Sequence, residues 1–123
     1  MYAIMVFHFL LLGLIHPVDL PYLEIEHSFE KNDSNFIISK CEETVLMDLE
    51  GDEGIYNHSQ ATMVLNDFFN TYPKGEFEYR FQGSTSDEEI FSLASYNVAS
   101  LEFTVLMSFS KDQNKIQSIR ISQ

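Results

Sequence analysis

Apolar residues return every three or four positions from Tyr22 through Ile25 to Phe29, with polar residues between them. That spacing predicts a short helix. Asn32 and Asp33 interrupt it, and SNFIISK predicts a second short helix capped by Asp33 or Ser34. From Glu42 to Glu50 the period falls to two. Val45, Met47 and Leu49 alternate with Thr44, Leu46, Asp48 and Glu50, as in a strand. GDEG, Gly51 to Gly54, reads as a turn. Ala61, Val64, Leu65, Phe68, Phe69 and Tyr72 then form a helical stripe. Asn57 and Gln60 are placed to form a capping box at its start, and Pro73 and Gly75 end it. His58 takes the first helical position.

Beyond Gly75 the chain alternates again. Phe77, Tyr79 and Phe81 are expected on one face, and Glu78, Arg80 and Gln82 on the other. Ser84 to Glu89 reads as a turn. Ile90, Ala94, Tyr96 and Val98 then oppose Phe91 and Leu93, and Leu101, Phe103, Val105, Met107 and Phe109 share one face. After a turn from Ser110 to Lys115, IQSIRISQ closes the chain as a strand. The expected order is helix, helix, strand, long helix, then consecutive strands joined by short turns. That is an α+β architecture, a curved antiparallel sheet with helices on one side.

Residues 1–20 differ from the rest. Ile4 to Ile15 is a nearly unbroken apolar run without amphipathic period. It is too short for a spanning helix and suits the core of a signal peptide. Its flank MYA lacks Lys and Arg, and HPVDLP is a poor cleavage site. The expectation is a signal peptide or an N-terminal hydrophobic anchor over 1–20, with Pro17 and Pro21 at the boundary and one domain over 21–123. This implies export to a periplasmic or extracellular site, with residues 4–15 as the anchor if they are retained.

Charge narrows the partners. Acids number 19 against 7 bases, a net charge of −12. No basic cluster is available to neutralise phosphates, which argues against nucleic acid. Cys41 is the single cysteine, and Glu42 and Glu43 beside it disfavour the thiolate. Asp48, Glu50, Asp52 and Glu53 lie close in sequence but do not fit a calcium loop, so neither a metal nor a cofactor is expected. NDS at Asn32 and NHS at Asn57 match glycosylation sequons.

DSNF, ETVLMDLEG, GIYNHSQATMVLNDFF, FEYRFQG, YNVASLEF and IQSIRIS stand in an order that resembles the domain of unknown function 4783 family, small exported bacterial proteins of the nuclear-transport-factor-2-like superfamily. The resemblance implies a cone: a curved antiparallel sheet packed on one long and two short helices. It also implies a signal peptide and carries no activity. Two departures stand out. The family favours a histidine where Phe81 stands, and a glycine where Ala99 or Ser100 turns a hairpin.

A cone has a cavity. Tyr56, His58, Tyr79 and Tyr96 are its candidate lining, able to hold a small ligand through hydroxyls and an imidazole. No inward Asp or Glu is expected, so no set of nucleophile, base and orienting group can be assembled and no catalytic residue is assigned. The favoured function is a non-enzymatic binding or protein-interaction module. One alternative is an isomerase-like or hydrolase-like enzyme with His58 as base. Another is a homodimer joined through the outer sheet face, with Arg80, Gln82, Phe91 and Leu93 as the candidate contact.

Overall fold

A computed structural model describes residues 20–85, 87, 89–112 and 114–123. The expected signal peptide or anchor lies outside them. Among the described residues no helix is long and apolar enough to cross a membrane. Helices α1 (Tyr22–Lys31) and α2 (Ser34–Ser39) precede strands β1 (Cys41–Leu49) and β2 (Asp52–Asn57). Then follow the long helix α3 (His58–Thr71) and strands β3 (Glu76–Ser84), β4 (Ile90–Val98), β5 (Leu101–Phe109) and β6 (Ile116–Ser122).

The local signals act as the sequence suggests. Asp33 caps α2 by accepting from the Phe36 N–H at 3.1 Å. At α3 the Asn57 carboxamide accepts from the Gln60 N–H at 2.9 Å, and the Gln60 side chain accepts from the Asn57 N–H at 3.2 Å. Two donors at the start of the helix are thus satisfied. Strand β2 departs from expectation. The turn is confined to Glu50 and Gly51, both at positive φ, and the acidic stretch after it pairs antiparallel with β1, Met47 opposite Gly54.

The strands form one curved, open sheet in the order β2-β1-β6-β5-β4-β3. All neighbours are antiparallel except β1 and β6, which run parallel with Met47 opposite Ile119. The chain is therefore an α+β cone. α1 packs on β3, and α3 packs on β1, β2 and α2. Between helices and sheet lie Ile25, Phe29, Leu65, Met47, Val105, Met107 and Ile119, all fully buried. Each contributes roughly 1.5–3 kcal/mol by leaving water. Aromatic rings fill the middle. Phe29 stacks on Phe77 at 4.7 Å and meets Phe69 edge-on at 5.6 Å, and Phe68 meets Phe103 at 5.2 Å.

One strand breaks its alternation. Tyr79 faces Ala94, but Phe81 faces Leu93, so Arg80 sits in a bulge. The extra residue reverses every side chain after it. Phe81, expected inward, stands on the outer face at 55% exposure. Gln82, expected outward, shares the face of its partner Ser92, which is fully buried.

Candidate functional site

The four residues expected to line a cavity go to four different places. Tyr96 is fully buried in the aromatic core, and its hydroxyl is the busiest polar atom there. It donates to the Tyr72 carbonyl at 2.7 Å. It accepts from Asn32 Nδ2 and from the Gly75 N–H, each at 3.0 Å. The phenol thus ties the end of α1 to the α3–β3 connection, and its capacity is used up. A Cβ on Gly75 would come within 2.6 Å of the Tyr96 ring, so only glycine allows this approach. Asn32 supports the same junction. It holds a left-handed φ of 58°, and its Oδ1 accepts from the Lys74 N–H at 2.7 Å. The Asn32 side chain is therefore engaged inside the fold, whereas exposed Asn57 caps α3 through its Oδ1 alone.

Tyr79 lies under α1, with its hydroxyl donating to the Tyr22 carbonyl at 2.8 Å. Burial raises its pKa, and Tyr22 and Glu26 raise it further. It is a satisfied, neutral phenol. His58 is exposed at the start of α3, and its Nε2 lies 3.2 Å from the Cys41 carbonyl and 2.8 Å from the Glu42 carbonyl. Carbonyls only accept, so Nε2 carries the proton and cannot serve as a base while those bonds hold. The imidazole fastens α3 to the start of β1. A shallow groove of about 430 Å³ runs beside it, lined by Asn35, Ile38, Ser59 and Met63. Tyr56 faces another groove, between β2 and α3.

Cys41 is buried, with Sγ 3.7 Å from the Ile37 carbonyl. Burial, more than the neighbouring Glu42, pushes its thiol up to about 12, so it stays protonated. Of the acids near the β1–β2 turn, Asp48 and Glu53 answer to Arg120, at 3.0 and 3.4 Å.

A broad concavity lies on the outer face, away from the helices. It encloses about 580 Å³ over Leu46, Phe91, Leu106, Ser108 and Ser118, with Arg120 at its edge. Apolar pairs stand on both sides of it, parted by Ser118 and Arg120 of β6. Ile55 opposes Leu46, Leu106 opposes Leu93, and Leu93 opposes Phe81. Of the expected contact residues, Phe91, Leu93 and Arg80 are on this face. Arg80 reaches Glu78 at 3.3 Å and Glu102 at 3.9 Å. Leu46 and Leu106 belong to the same band. Their sequence signal was an apolar residue at an outward position of an alternating strand.

The order of elements, the cone and the capped long helix match a family pattern. The family model described as "Domain of unknown function (DUF4783)" covers residues 23–122. The chain belongs to this family. A DUF4783 protein from Bacteroides uniformis ATCC 8492 is 24% identical with a TM-score of 0.74, over 85% of this chain and 97% of that one. A second, from Bacteroides fragilis YCH46, is 23% identical with a TM-score of 0.73, over 85% and 99%. More distant is an NTF2-like protein of unknown function from Cytophaga hutchinsonii ATCC 33406, 8% identical with a TM-score of 0.57, over 81% and 83%. These likenesses support the NTF2-like fold. No curated protein matches the chain. DUF4783 membership thus brings a fold and no reaction.

Proposed function

We propose that this DUF4783 protein is an exported, non-enzymatic interaction module that binds through its outer sheet face. One observation carries the reading: the apolar band there is left uncovered, with Phe81 at 55% and Ile55 at 71% exposure. Large apolar residues left exposed on one face of a sheet are a common mark of an interaction site. The cone interior supports it from the other side, because rings fill it and the Tyr79 and Tyr96 hydroxyls are already bonded. Export rests on the apolar run Ile4–Ile15. The intact mass of protein recovered from the cell envelope tests it, through loss or retention of that run.

The exposed Phe81 and Ile55 admit a second copy of the chain as one occupant. Arg80 is held by Glu78 and Glu102, and Arg120 by Asp48 and Glu53. Four acids answer two arginines, so the face is net negative and a self-contact gains from burying Phe81 and Ile55 against that repulsion. Sedimentation equilibrium separates the two readings. A dimer that Leu93→Glu dissolves supports the homodimer. A monomer directs the search to a different protein partner. A dimer that survives both Leu93→Glu and Phe81→Glu refutes the outer face. A carbonyl isomerase or hydrolase turnover lost in His58→Ala would overturn the non-enzymatic reading.

A further inference from the structure

We infer that the groove between the β1–β2 hairpin and the C-terminal half of α3 binds an organic cation, an alkylammonium on an apolar stem. It lies on the inner side of the sheet, so it is separate from the outer-face surface, and it encloses about 280 Å³. Tyr56, Phe68 and Tyr72 give it aromatic walls, while Glu50, Asp52 and Asp67 give it carboxylates. The Phe68 and Tyr72 rings are 5.1 Å apart at a tilt. Tyr56 lies along its own strand across Gly54, where a Cβ would be 2.5 Å from its hydroxyl. The missing side chain at Gly54 is what lets that ring form a wall.

Among the described residues no cation is paired with this charge. No Lys or Arg occurs between Lys40 and Lys74, so neither the hairpin nor α3 has a cation of its own. Arg120 is engaged by Asp48 and Glu53 on the outer face. Asp52 and Asp67 have no ion-pair partner among the described residues. The Thr71 hydroxyl donates back to the Asp67 carbonyl, so it offers no donor that would suit an anion instead. The acids are nonetheless not arranged for a metal. Among the described residues no three His, Cys, Asp or Glu side chains come together as a metal site. Spread carboxylates around aromatic faces fit a longer cation, whose stem covers the rings and whose ammonium meets a carboxylate. The volume suits a single alkylamine chain, whether a free amine or the side chain of a lysine in a partner.

Amide chemical-shift titration of the 15N-labelled protein tests this at low salt. The probes are n-pentylammonium chloride and the tripeptide Gly-Lys-Gly, with potassium chloride at matched ionic strength as control. The expected result is saturable shifts confined to residues 49–56 and 64–72. Asp67→Asn should weaken binding roughly threefold. Tyr56→Leu, which keeps the bulk and removes the π face, should weaken it roughly two- to fivefold. Tighter binding of the tripeptide assigns the site to a lysine of a partner, and tighter binding of the amine assigns it to a free ligand. Shifts that fail to saturate, that potassium chloride reproduces, or that persist unchanged in both folded variants overturn the inference.

Discussion

The two faces of the sheet are made from alternate residues of the same strands, yet they end in opposite conditions. On β4, Tyr96 is fully buried with its hydroxyl bonded to Asn32, Tyr72 and Gly75. On the other side of the same strand, Phe91 and Leu93 are only half-buried, beside an exposed Phe81. Amphipathic helices cover the inner face, and no described element covers the outer one. The inner face is where the chain gains its stability. The outer face carries apolar surface that does little for the isolated fold, and such surface is available for a partner.

Mutations can break this comparison. The largest effect is expected from Phe29→Ala, which removes the ring that touches Phe69, Phe77 and Tyr96. It should cost about 3–5 kcal/mol in guanidinium unfolding. Tyr96→Phe keeps the ring but leaves Asn32, Gly75 and the Tyr72 carbonyl without their shared partner, a loss of about 1–3 kcal/mol by the same assay. Ala99→Gly should move the other way. Ala99 holds a φ of 55° in the β4–β5 hairpin, a strain that glycine lacks, so thermal unfolding should show a gain of about 0.5–1 kcal/mol. The smallest effect belongs to the outer face. Phe81→Ser should change the stability of the dilute monomer by no more than about 0.5 kcal/mol. If it costs as much as Phe29→Ala, the two faces do not differ as described.

Much of the fold was legible because it rests on local rules. The stripe from Ala61 to Tyr72 and the Asn57–Gln60 box place α3 without tertiary information, and the alternation from Leu101 to Phe109 places β5. Strand β2 was not legible. Its residues are mostly acidic or exposed, and an edge strand with little to bury shows no clear period. The bulge at Arg80 had no sequence mark either, and missing it sent Phe81 and Gln82 to the wrong faces. The site was harder still. Tyrosines can be read as polar-tipped, but whether a tip is free depends on distant residues. One of the three partners of the Tyr96 hydroxyl, Asn32, lies 64 positions away. The groove beside Tyr56 likewise exists only once the hairpin and α3 come together.

The parallel pairing of β1 with β6 has a consequence for how the protein is made. β6 lies between β1 and β5, so the first hairpin cannot join the rest of the sheet until Ile116–Ser122 has been synthesised. The core is therefore completed only once β6 has been made, since contacts of such long sequence separation form last. Until then the β1–β2 hairpin has no strand of the β3–β5 meander beside it.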